Sequence, residues 1–212
     1  NKPNSNVWGA TNLGSTVSSA LSFGRKDSAS DNIVTLIVNK REIFILGERT
    51  SEVWIDAGLF PFPFQKLPGT NMQHGCVAPQ SVALLGETFA FLGQDDRGQG
   101  NVYLMEGYAP RTISTPALNA EFATYPTLSD AIGMSYQENS HEFYILTFPT
   151  ADKTWCYDIT TDLWHRRATR DSLNVYHRDH MISTAFFLGL NLFGDKNNGL
   201  MYQSSTTTFV DY

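Results

Sequence analysis

The fold is decided by the stretch "SEVWIDAG" at Ser51–Gly58, because the chain writes it four times. "GNVYLMEG" stands at Gly100–Gly107, "DKTWCYD" at Asp152–Asp158 and "NGLMYQS" at Asn198–Ser204. Each joins a β-branched residue or a methionine to a large aromatic: Val53-Trp54, Val102-Tyr103, Thr154-Trp155 and Met201-Tyr202. A period of roughly fifty residues is the mark of a repeat architecture.

The surroundings of each aromatic pair follow one plan. A first apolar strand runs into a short polar turn: "NKR", "GE", "QENSH" or "GL". A second strand rich in Phe, Ile and Leu follows, as in "EIFILG", "TFAFLG", "EFYILTF" and "NLFG". Then come a polar loop, the strand with the aromatic, and a more polar fourth strand. Short β-branched or aromatic runs punctuated by Gly, Asn, Asp and Pro are the strand-and-hairpin signature. "EIFILG" is apolar on both faces, which predicts burial on both sides.

Four such units, at about 33–67, 81–114, 131–168 and 181–212, predict an all-β, β-propeller-like fold of about four four-stranded antiparallel blades. Blades that stack on one another need large side chains between them, so the repeated Trp or Tyr is read as an inter-blade packing residue. "LWHRRA" (Leu163–Ala168) suits an outer strand at the rim. One segment breaks the rhythm. In "STPALNAEFATYPTLSDA" (Ser114–Ala131), Thr115 is a cap, Pro116 suits a first turn, and a short helix is predicted to end before Pro126. Residues 1–30 read as a polar, Gly/Ser-rich segment with one outer strand, "SSALSF" at Ser18–Phe23, from a preceding blade. That outer strand points either to strand-swap closure of the ring or to an earlier portion of a larger propeller.

The chain of 212 residues is 42% hydrophobic and 13% aromatic, enough for a sizeable core. No apolar run approaches the ~20 residues of a membrane span. The first residue is Asn1, and the chain is expected to be a piece of a longer protein. Its net charge is −6, whereas a grip on nucleic-acid backbone calls for a basic excess. Cys76 and Cys156 stand in unlike contexts and read as buried thiols rather than a disulfide framework.

Catalytic and metal-binding patterns are weak. There is no G-x-S-x-G and no G-x-x-x-x-G-K. "GQDDRGQGN" (Gly93–Asn101) sits in a hairpin loop, not between strand and helix, so it is no dinucleotide fingerprint. Asp95, Asp96 and Asn101 in that loop, and Asp195, Asn197 and Asn198 in "GDKNNG", offer fewer oxygens than the roughly six to eight of a calcium site. They are also what tight hairpins use. His177 and His180 form H-x-x-H without further ligands at zinc spacing. His74 lies two residues from Cys76, but a nucleophile–base pair also needs an orienting third group. "TADKTW" (Thr150–Trp155) partly echoes the Asp-box turn of sialidase-type propellers, lacking its Gly.

The long ordered stretches resemble a known family. "REIFILGERTSEVWIDAG", "FPFQKLPG", "GCVAPQSVALLGETFAFLGQDDRGQGNVYLMEGYAPRTIST" and "HEFYILTFPTADKTWCYDITTDLWHRR" are similar to the packaged-DNA stabilisation, or tail hub, proteins of short-tailed phages. The resemblance runs from about Ile33 to Arg167. It implies a structural subunit of the virion tail, assembled in the bacterial cytoplasm as a homo-oligomeric ring, a hexamer. That ring would close the portal channel below the adaptor ring and seat the tail needle. It implies no enzymatic activity, no cofactor and no catalytic residues. Members of that family are longer than this chain.

An assembly part works through its contacts. Phe60, Phe62 and Phe64 alternate with Pro61 and Pro63 in "AGLFPFPFQKLPG" (Ala57–Gly69), and alternation points the three rings to one side of an extended strand. They form either an exposed interface patch or a cap on the core. Arg97, Arg166, Arg167 and Arg170 are expected to pair with acidic groups of a neighbouring subunit. The alternative reading is a glycan-binding or sialidase-like propeller, which needs arginines and carboxylates converging on the axis. The inner strands "IVTLIVN", "SVALLG" and "AIGMSYQ" carry no charge.

Overall fold

A computed structural model describes residues 4–11, 14–94, 98–195 and 198–205. The chain opens with a hairpin of β1 (Val7–Thr11) and β2 (Ser18–Arg25). The first blade is β3 (Ile33–Asn39), β4 (Glu42–Gly47), β5 (Ser51–Asp56) and β6 (Phe64–Lys66), antiparallel and in chain order across the sheet. The second holds β7 (Gly75–Cys76), β8 (Ala83–Leu85), β9 (Thr88–Gln94), β10 (Gly100–Glu106) and β11 (Ala109–Thr112). β7 and β8 pair with opposite ends of β9, so its innermost strand is split by a 3-10 turn at Pro79–Ser81. After helix α1 (Pro116–Phe122) comes the third blade: β12 (Ile132–Glu138), β13 (His141–Phe148), β14 (Lys153–Asp158) and β15 (Leu163–Arg167). A small hairpin, β16 (Thr169–Arg170) and β17 (Tyr176–His177), leads to β18 (Met181–Phe187), β19 (Leu190–Asp195) and β20 (Met201–Gln203) of the fourth.

Local chemistry explains the turns. Lys40 and Arg41 take φ of 49° and 68°, and Asn139 and Ser140 take 51° and 67°. Two consecutive left-handed residues make the two-residue hairpin turn whose twist matches that of the strands. In α1, Thr115 accepts a hydrogen bond from Leu118 N at its N-cap, and Pro116 occupies the first turn. Both cap a donor or replace one that has no helical partner. The helix buries Leu118 and Phe122 in the cluster shared by the second and third blades.

Four hydrophobic clusters fill the gaps between successive sheets. Phe44, Leu46 and Val53 of the first blade meet Phe89, Phe91, Tyr103 and Met105 of the second. Leu92, Val102 and Leu104 meet Tyr144, Leu146 and Tyr157 across the next gap. Met134, Tyr136, Ile145 and Cys156 meet Phe193 across the last. The central strands β4, β9 and β13 are therefore buried on both faces. The second and third blades approach closely where Gly133 of β12 faces the 3-10 turn: a Cβ there would lie 2.0 Å from the Ser81 carbonyl oxygen. Trp54 and Tyr103 are buried, Trp155 is half-buried with its Nε1 donating to Tyr125 Oη at 2.9 Å, and Tyr202 is exposed.

The pattern of residues 1–30 predicts a single strand at Ser18–Phe23 and loop elsewhere, whereas the structure has a two-stranded hairpin. Val7–Thr11 is a strand, and Val7-Trp8 is a fifth copy of the aromatic pair, forty-six residues ahead of Trp54. Its flanks are Asn, Ser and Gly with no apolar run, so local pattern hides it. Burial of the Trp8 ring against Trp54, Phe62 and Phe64, with centroids at 5.3, 4.9 and 5.3 Å, makes the strand.

Candidate interaction surfaces

The loop between β5 and β6 carries the three phenylalanines, and the structure divides them. Phe60 is 96% exposed at the loop tip. Phe62 and Phe64 turn inward and pack with Trp8 and Trp54. Phe62 closes over Gly24, where an added Cβ would sit 2.6 Å from its ring. Alternation is a rule for residues on a regular strand, and β6 begins only at Phe64. Phe60 and Phe62 lie in the loop, where contacts rather than pleat decide direction.

Arginines follow the same division. Arg166 is exposed on β15. Arg167 is half-buried, with its guanidinium carbon 5.3 Å from the Tyr136 ring and 5.8 Å from that of Phe143. It also donates to Tyr136 Oη, so it holds β15 against the third-blade core. Arg170 lies 5.4 Å over Tyr176, across the β16–β17 hairpin. Leu173, Val175 and Tyr176 at that hairpin's tip are exposed. Arg97, Asp95, Asp96 and Asn197 lie outside the described residues.

His177 clamps the hairpin to the third blade. Its Nδ1 is 2.8 Å from Asp152, in the β13–β14 turn, and its Nε2 is 3.3 Å from Asp171. The two carboxylates, Asp152 first, raise the imidazole above its ordinary range. His180 Nδ1 lies 3.5 Å from Asp195 on β19. The H-x-x-H spacing thus joins two blades. Among the described residues no three His, Cys, Asp or Glu side chains stand as a metal-binding group. Cys76 is buried, and desolvation pushes its thiol up to about 11. Its Sγ contacts Ala78 O and Ser81 Oγ. The His74 ring packs on Tyr103. Both cysteines are free.

Sequence reasoning missed one polar set altogether. Lys26 is fully buried, and its Nζ meets Asp31 and Thr50 Oγ1. Asp31 also accepts from the Arg49 and Thr50 amides at 2.9 and 3.0 Å. Burial pushes the Asp31 carboxyl up, but Lys26 and the two amides outweigh it and hold it below the ordinary 3.8. Close by, Glu52 accepts from Trp54 Nε1 at 2.8 Å and faces Lys66 at 3.1 Å. No spacing links Lys26, Asp31 and Glu52 in the sequence. The set fastens the first hairpin to the first blade and has the geometry of a staple rather than of a reactive site.

Successive antiparallel sheets packed face to face define a protein of the β-propeller class. A family profile described as Bacteriophage P22 Gp10, beta-propeller, matches residues 2–209, and the chain belongs to that family of phage structural proteins. A search among curated proteins finds no match.

Proposed function

We propose that this chain is a tail hub, or plug, subunit of a short-tailed phage. In this reading a homo-oligomeric ring, a hexamer, closes the portal channel and stabilises the packaged DNA. It binds the adaptor ring on one side and the tail needle on the other, within the virion tail. The family match over residues 2–209 carries the reading. The architecture supports it: rigid blades present loop tips such as Phe60 and the β16–β17 hairpin, which suit protein contacts. Phe60, Arg166 and Arg170 are the side chains assigned to those contacts. Phe62, Phe64 and Arg167 support them from beneath, and Arg97 belongs to the same reading by sequence.

Negative-stain imaging and mass photometry of the protein mixed with portal and adaptor proteins test this. A six-fold ring on the complex is expected. Monomers that never join the complex would end the reading. Phe60→Asp should weaken that association about tenfold while leaving the melting temperature unchanged. A solvent-exposed ring contributes to binding far more than to folding.

A further inference from the structure

The first hairpin is half of a blade. In each blade the chain runs outward from the first strand, and the aromatic pair lies on the third: β5, β10, β14 and β20. Val7-Trp8 places the same pair on β1, so β1 and β2 hold the third and fourth places. Among the described residues β1 pairs only with β2, and its other edge is open.

The face beside that edge is uncovered as well. Ile43 and Ile45 of β4 pack toward Trp8. Their register partners on β3, Val38 and Leu36, share that face yet are 55% and 42% exposed. Inner strands that stand between two blades have neighbours, as β8 lies against β12 and β12 against β18, whereas β18 at the far end of the row also exposes Phe186 and Phe187. Trp8 therefore covers the outer part of the first blade's face and leaves the inner part bare. An open edge next to an exposed apolar strand is a surface that natural sheets cover.

We propose that the free edge of β1 and the Leu36–Val38 shelf are the acceptor site for a two-stranded antiparallel hairpin, the inner half of this blade. The occupant is a segment of the same polypeptide, because every complete blade takes its strands consecutively from one chain. Its chemistry follows from β3 and β4, which hold the equivalent places with seven and six residues. It has two short apolar strands, uncharged at their centres and joined by a tight polar turn. Strand pairing supplies the main-chain bonds, and the shelf takes alternate side chains. The inference rests on the fold alone, so it can fail while the virion role stands.

A surrogate tests it. A second copy of the Ile33–Gly47 sequence is joined ahead of Asn1 through a short Gly/Ser linker. The melting temperature should rise by ~5 °C or more, and the β1 amides should gain protection from hydrogen exchange. Leu36→Lys with Val38→Lys should barely change the unfused protein and should cancel the gain in the fusion. A second surrogate, the Ile132–Phe148 sequence from the third blade, guards against a graft that misfolds for its own reasons. If neither graft raises stability, or if the gain survives the two lysines, the proposal is overturned. Unfused dimers with β1 already protected would assign the edge to a second copy and overturn it too.

Discussion

Lys26 has no exposed surface, and its ammonium is neutralised by Asp31 and bonded to Thr50. Removing one partner of a buried pair leaves the other charge without compensation, at a cost of about 3–5 kcal/mol. Asp31→Ala should lower unfolding free energy in urea by that order. The pH dependence has a definite sign. The Asp31 carboxyl is held below its ordinary 3.8 in the folded chain, so its contribution is complete above that value. It is lost as pH falls through the lower folded value. Asp31→Asn should flatten this acid limb of the stability curve. Phe60 and Phe62 make a second contrast. Phe60→Ala should leave stability within about 0.5 kcal/mol. Phe62→Ala should cost about 2 kcal/mol, because its ring packs edge-on against both Trp8 and Trp54. Both residues share one motif in the sequence. Only contacts tell them apart.

Elements were more legible than residues. β4, β9 and β13 are long apolar runs between turn residues, and hydrophobic pattern suffices to place such strands. α1 was legible from Thr115 and Pro116. β1 was not, since the aromatic rings that bury Trp8 stand at least forty-six positions away. The β16–β17 hairpin was hidden for a similar reason: each strand has two residues, and the element is held by His177 against Asp152. His177 has its titration raised by Asp152 and then Asp171. The clamp is therefore complete below the ordinary 6.5 and weakens as pH rises through the higher folded value. Protection factors for amide exchange of residues 169–177, taken relative to the intrinsic rate at each pH, should be larger at pH 6 than at roughly pH 9. Asp152→Asn should remove much of the difference. Asparagine tolerates the left-handed φ of 53° found there. Gly133→Ala tests the gap between blades. Its Cβ would strike the Ser81 backbone, so a loss of about 1–3 kcal/mol is expected in thermal or urea unfolding.

At the scale of the molecule, no blade owns a core. Each cluster is lined by two successive sheets, so unfolding one blade bares the face of the next. Near-ultraviolet signals from the first blade, isolated with Trp54 as reporter, and from the third, with Trp155, should give coincident denaturation curves. Separate transitions would show that the gaps are weaker than the sheets. The sequence by itself determined that this is a repeat of antiparallel hairpins, where the second strand of each repeat lies, and that the inner strands are uncharged at their centres. Those properties follow from side-chain pattern and turn chemistry, which act over a few residues. Only the tertiary structure decided that Trp8 begins another blade, that Phe62 turns inward while Phe60 turns out, and that Lys26 is buried with Asp31. Each depends on groups brought together from distant repeats, and a residue's exposure is set by what packs on it rather than by its neighbours along the chain.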